Sequence, residues 1–460
     1  MKTLIFGTLV AVILSAGISP RVFAQGDEEQ IVISKEADAT VSLDPLVGSA
    51  AVWQMTGDQI ATAFKAKGFA WLDPKTKDRG LIRPRNLFLK DDSKKNVVQY
   101  RSIRHKLTLF GSPAYEASLE FSGGKLNSVS ISIWNKGDAD EPIIKVNYEA
   151  LIKKTVSAVN VALAVPGRDL GLDNTAAAKI SRWRWESPVT LAQLESSAGK
   201  DADRQFTAEF IRLRLVPKGA SGLDAKGTSI AKVSVGSLIS RVKTNPAGDV
   251  FIDSVPMVDQ GEKGYCAVAT TERVMRYYGI QVDQHDLAKA AETSGQGTNP
   301  QDFENALHHL QGRFKIRVRD LIHFDDKDYD KMMEVYNREA RKAGSKQFKP
   351  GDYYFEFNPD IMREARCRAG AFEKFRNLIT ASTSKGVPLL WALSLGRYPE
   401  TGHENPQGGG GHMRTLIGYN TKTDEVIFSD SWGAGHEFKK MKGRDACAAT
   451  LGLYLVEPAG

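Results

Sequence analysis

A glycine-punctuated approach to one cysteine at the head of an amphipathic helix is the most restrictive feature of this chain. In VPMVDQGEKGYCAVATTERVMRYYG, Gly261 and Gly264 mark a loop, and the run from Cys266 to Tyr278 carries helical spacing. Val274, Met275 and Tyr278 are available for packing, and Gly279 is a natural stop. Cys266 is therefore expected at a helix N-terminus, where the macrodipole and free backbone amides favour a thiolate. A thiolate needs a base or cation beside it. GGGGHMRTLIGYN offers His412, 146 residues later (412 minus 266), at the head of a strand-like apolar run through Leu416 and Ile417. VIFSDSWG then puts Asp430 at the end of the next such run, where a carboxylate can orient an imidazole, with Trp432 placed to shield the pair. His403 and His436 flank the same region and are rival bases.

In this order and context the residues resemble the papain-like cysteine peptidases, most closely the bacterial branch that includes the bacteriocin-leader-processing (double-glycine) peptidases. Gln260, six residues before the cysteine, matches that family's oxyanion-hole glutamine. HMRTLIGYN is similar to its His-led strand, and DSWG to its Asn-Ser-Trp-Gly, with Asp as the stronger acceptor in place of Asn. The resemblance covers Val255 to Gly460. It implies a thiol peptidase acting on a peptide or protein substrate, with no metal or organic cofactor. Cys266 is the implied nucleophile, His412 the base, Asp430 its orienting group and Gln260 an oxyanion donor. Three of the same groups serve transglutaminase-like acyl transfer and cell-wall amidases, and a catalytically silent papain-like binding module is the non-enzyme alternative. Leader processing in the strict sense is not expected, because the chain shows neither a second apolar span nor a GxxxxGK[ST] loop.

The remaining sequence sets the frame. MKTLIFGTLVAVILSAGISPRVFA, with Lys2, an apolar core and small or apolar residues at Val22 and Ala24, reads as a secretory leader cut before Gln25. The expected destination is secreted or periplasmic. Lys plus Arg exceed Asp plus Glu by 62 to 55, a net +7, and loss of Lys2 and Arg21 leaves 7 minus 2, or +5. That excess is too small to imply a nucleic-acid partner, and nothing downstream of the leader is long and apolar enough for stable membrane insertion. Of the three cysteines, Cys367 and Cys447 are either a disulfide or two inert thiols.

The expected fold class is α+β: an N-terminal helix-on-antiparallel-sheet domain over 25–216, a linker over 217–249 and a papain-like domain over 250–460. The first domain reads as two rounds of one unit, suggesting internal duplication: a helix at 57–67 with a hairpin from Tyr115 to Ile133, then a helix at 148–164 capped by Asn147 with a hairpin of 191–195 and 206–215. The basic tract with Lys77, Arg79, Arg83, Arg85 and Lys90 reads as a solvated face. Trp183 and Trp185 read as strand packing, and the aromatic tract Tyr353, Tyr354, Phe355 and Phe357 as core. Helices are expected near 331–342 and 361–377. This first domain suits either an intramolecular propeptide over the groove or a targeting module.

Overall fold

The computed structural model describes residues 30–459 except 36–38, 65–69, 72–78, 84, 91–96, 174–177, 201–203, 221–222, 224–232, 295, 324–325 and 350–356. The leader, Lys77, Tyr353, Tyr354 and Phe355 lie outside the described residues, as do the side chains of Arg85 and Lys90.

The N-terminal domain is built on an eight-stranded sheet whose spatial order is 168–173, 180–186, 190–200, 206–217, 125–135, 116–122, 79–82 and 70–71. Its first hairpin forms because Ala117, Leu119 and Phe121 alternate with polar residues, as do Val129, Ile131 and Ile133, and all six are buried. Gly123 and Gly124 join the strands with φ of 58° and 77°, a left-handed pair that side chains with a Cβ rarely adopt. The helix Lys145–Leu163 lays Tyr148, Val159 and Leu163 on this apolar face. It starts at Ile144 without a side-chain cap, so Asn147 lies inside it rather than capping it. Trp185 is fully buried against that helix, its indole N–H donating to Asn160 at 2.7 Å. The short helix Gly57–Phe64 carries the expected reciprocal cap between Thr56 and Gln59.

The two hairpins do not stand apart as repeated units. Strand 206–217 pairs with strand 125–135 and fuses them into one sheet, and internal duplication is not shown. A separate five-stranded sheet around Val97–Leu109, partly parallel, was not foreseen.

The C-terminal domain has a third sheet, also eight-stranded, ordered 242–244, 250–252, 410–420, 389–395, 450–458 and 316–322, with 425–429 and 439–442 continuing from strand 410–420. Its pairings are antiparallel. Strand Leu389–Leu395 is apolar along almost its whole length because it is covered on both faces; Trp391 is wholly buried, donating to Thr450 at 2.8 Å. Helices Cys266–Tyr277, Pro300–Phe314 and Ala369–Thr383 pack on this sheet around one continuous core. The helical stretch expected at 361–377 is two helices, Pro359–Arg366 and Ala369–Thr383, interrupted at Cys367 and Arg368. Cys367 and Cys447 are free thiols, both buried, and Phe357 is core.

The face of the first sheet opposite its helix is polar, yet it too is buried, because helices of the C-terminal domain lie against it. Arg212 is the centre of that contact, paired with Glu195 at 2.5 Å on its own sheet and with Asp283 at 3.0 Å and Asp286 at 3.1 Å across the boundary. Arg276 reaches Glu120 at 2.8 Å, and Lys289 reaches Glu209 at 3.3 Å. A polar cavity of about 110 Å³ lies between the two surfaces. Arg79 and Arg83, expected in a solvated basic face, are instead part of this boundary: Arg79 donates to the Met257 carbonyl at 2.6 Å and Arg83 pairs with Glu116 and Asp259. Removing Arg212 takes the shared cation from three carboxylates in a low-dielectric environment: Glu195 keeps Arg182 and Arg214, Asp283 keeps His285, and Asp286 loses its guanidinium partner. Arg212→Ala is expected to cost about 3–5 kcal/mol, read as a lower urea midpoint, whereas Leu172→Ala, at an exposed apolar position, moves it by no more than about 0.5 kcal/mol.

Candidate active site

Cys266 is the first residue of its helix, following Tyr265 at the N-cap. The helix is fixed side-on to the histidine strand, since Thr270 donates its hydroxyl to the Met413 carbonyl at 3.1 Å. One turn further on it is fixed again by Arg273, whose guanidinium is wholly buried and donates to the carbonyls of Asp430 at 2.6 Å and Pro256 at 2.9 Å. These contacts make the thiol's position a property of the sheet.

His412 lies on strand Gly410–Asn420, paired opposite Leu393. Its Nε2 donates to Asp430 Oδ1 at 3.0 Å, and its Nδ1 is buried without a conventional hydrogen bond. Nδ1 is thus the nitrogen left for the Cys266 thiol, with which the imidazole interacts. The Trp432 ring stacks on the imidazole at 4.1 Å and 9°, closing one face to solvent.

Burial by itself pushes the Cys266 thiol up, but the His412 contact and the backbone groups of Met413 and Ala267 outweigh it and leave the thiol below its ordinary value. Burial likewise pushes His412 down, while Asp430 and the thiol draw it up, with a net rise. Each shift stabilises the charged form of its own group, the thiolate and the imidazolium. Asp430 is held well below the usual carboxylate range: burial opposes ionisation, and Arg414, His412 and Lys439 overcome it.

The four residues expected from the sequence are brought to one place. Asp430 follows strand 425–429 directly. Gln260 is buried beside it: its backbone N–H donates to the Ser431 carbonyl at 2.8 Å, its Oε1 accepts from the Ser431 hydroxyl at 2.8 Å, and its Nε2 donates to the Lys263 carbonyl at 3.2 Å. One N–H of that amide remains to donate elsewhere. His403 and His436 are not brought to the thiol. They face one another with ring centroids 4.7 Å apart, and His436 packs edge-on with Trp432 at 5.6 Å. Burial and Lys439 push His436 down to about 4.

Several members of the site were not legible. Arg414 donates to Asp430 Oδ1 at 2.6 Å and grips Glu400 with both terminal nitrogens, at 2.8 and 2.9 Å. Lys439 reaches Asp430 Oδ2 at 3.0 Å. Arg414 carried a usable signal, because two residues along a strand from His412 is the same face. Lys439, Glu400 and Arg273 carried none.

Among the described residues one group has the spacing of metal ligands: Glu304, Asp320 and His323, whose donor atoms lie within 4.8 Å of one another. His323 already pairs with Glu304 and His308 with Asp320, each at 3.0 Å, and none belongs to the thiol site. A surface hollow of about 640 Å³, lined by residues such as Arg319, Asn377 and Glu457, is also separate from it.

Residues 252–450 match the Peptidase_C39 like family. The C-terminal domain is C39 peptidase-like. Among solved structures, the chain is similar to the peptidase domain of Streptococcus ComA, described as a bi-functional ABC transporter involved in a quorum-sensing pathway, at 14% identity over 44% of this chain and 97% of that one, with a TM-score of 0.23. No curated protein matches the sequence. No helix among the described residues is long and apolar enough to cross a membrane.

The electrostatics of this C39-like site set a pH signature. The thiol is depressed by the imidazole and the imidazole raised by the thiol and Asp430, so each group holds its charged form over a wider pH range than it would alone. Alkylation of Cys266 by iodoacetamide, followed by peptide-mapped mass spectrometry, is expected to stay fast well below pH ~8.5, the ordinary thiol value, and to fall only as acid protonates the thiolate. In His412→Ala the rate should instead rise only near that ordinary value.

Proposed function

We propose that this protein is an exported papain-like thiol peptidase that hydrolyses peptide bonds with Cys266, His412, Asp430 and Gln260. The observation that supports this most is the thiol at a helix N-terminus meeting an imidazole whose other nitrogen is held by a buried carboxylate. The Cys266 thiolate adds to the scissile carbonyl carbon, and the carbonyl electron pair moves to oxygen. Gln260 Nε2 and the Cys266 backbone N–H donate to that oxyanion. His412, carrying the thiol's proton on Nδ1, passes it to the leaving amine as the C–N bond breaks. Water then attacks the thioester with His412 as base, releasing the acid and restoring the thiol.

Asp430 holds the ring through Nε2, and its own three charged partners keep it ionised and fixed. The Arg414, Lys439, Glu400 and Asp430 charges sum to zero, and proton transfer from the thiol to the imidazole itself adds no net charge to the interior. Residues 1–24 act as the export leader in this reading, and 25–216 and 250–460 as the two domains flanking 217–249. A propeptide role for the first domain requires that its release raise activity.

The test is incubation of the full chain with a mixed-sequence peptide library and identification of new termini by mass spectrometry. Cleavage is expected, with Cys266→Ser reducing it to background and Gln260→Ala lowering kcat/KM about 10²–10³-fold, as removal of an oxyanion donor does. Transfer of the acyl group to an added amine, with no free acid formed, would instead identify an acyltransferase.

A further inference from the structure

We propose that the N-terminal domain is a working part of the catalytic centre, with Asp138 and Arg83 as positioning residues that set the oxyanion loop. This rests on the thiol-hydrolase reading above. The loop from Asp259 to Tyr265 joins Gln260 to the N-cap of the catalytic helix, and both of its ends are gripped by side chains of the first domain.

At one end Arg83 pairs with Asp259 Oδ1 at 2.8 Å and donates to the Asp259 carbonyl at 2.8 Å, while its Nε is held by Glu116 at 2.6 Å. At the other end Lys263, whose side chain is 1% exposed, has its ammonium on Asp138 at 2.5 Å. Asp138 is presented by a built turn: Asn135, fully buried, donates to its carboxylate at 2.8 Å and accepts from the backbone N–H groups of Gly137 at 3.1 Å and Asp138 at 2.9 Å.

The grip is transmitted through one atom. The Lys263 carbonyl accepts both the Gln260 side-chain amide at 3.2 Å and the Tyr265 N–H at 2.7 Å. Moving Lys263 therefore moves the oxyanion glutamine and the residue preceding Cys266 together. A buried ammonium that loses its carboxylate must reach water or give up its charge, and either relocates this segment. Close packing adds a steric version of the same coupling. A Cβ at Gly137 would lie 2.6 Å from the Tyr265 ring and 2.8 Å from Lys263 Cδ, so only glycine fits there. The thiol–imidazole pair has no contact with Asp138 or Arg83 among these interactions, which makes the two functions separable.

Two reagents separate them in the full chain. Acylation of Cys266 by p-nitrophenyl acetate forms the S–C bond, passes through a tetrahedral oxyanion and expels p-nitrophenolate. Alkylation by iodoacetamide forms an S–C bond and expels iodide with no oxyanion. Asp138→Asn is expected to lower acylation about 10–100-fold, short of or equal to loss of a whole donor, with alkylation within about twofold of the parent. Gly137→Ala should act in the same direction, and the charge swap Asp138→Lys with Lys263→Asp should recover part of the loss. Unchanged acylation in both single variants overturns the proposal. So does a parallel fall in both reactions, which marks general damage to the site, and so does a rise in acylation, which makes the first domain an inhibitor. Slow alkylation of the parent chain below pH ~8.5 overturns the hydrolase reading and this proposal with it.

Discussion

A single buried carboxylate organises the C-terminal domain. Asp430 has no solvent exposure, and a charge in that position is tolerable only when fully compensated. It is met by His412 from one strand, Arg414 from the same strand and Lys439 from beyond the next turn, while Arg273 of helix Cys266–Tyr277 takes its backbone carbonyl. Helix, strand and turn converge on one residue because each supplies a donor that Asp430 needs. The orientation of the imidazole is a by-product of that compensation. Trp432 then completes the enclosure by covering the ring.

The contact between the two domains obeys the opposite logic to the cores on either side. Both cores are apolar, but the surface joining them is charged, with arginines and carboxylates alternating across it. Such a surface binds through geometry more than through burial of apolar area, since each guanidinium must find its carboxylate at a fixed place. Its effect is registration. It fixes where the loop before Cys266 sits relative to a rigid sheet, which the helical lobe alone has no strand to do.

The chemistry-bearing residues were legible because each carries its own local context. A cysteine after Gly-rich sequence at a helix start, a histidine at the head of an apolar strand and an aspartate at the end of the next are recognisable one at a time, and antiparallel strands brought them together. The first hairpin was legible for the same reason, as alternation with two glycines at the turn. Other readings lacked local causes. The start of helix Lys145–Leu163 at Ile144, without a polar cap, follows from packing. The sheet around Val97–Leu109 involves parallel pairings that a run of sequence does not announce.

The sequence by itself determined the cysteine at a helix start, the histidine and aspartate at strand ends, the alternating strands of the first domain and the α+β class, because helix ends and strand periodicity are set by neighbours a few residues away. Tertiary structure alone decided that Lys439 and Arg273 converge on Asp430, that His436 packs against His403 and Trp432, and that Arg79 and Arg83, expected to face solvent, hold the segment ahead of Cys266. Each of those depends on which distant carboxylate or carbonyl a long flexible cation reaches once the chain is packed, and no local pattern encodes that partner.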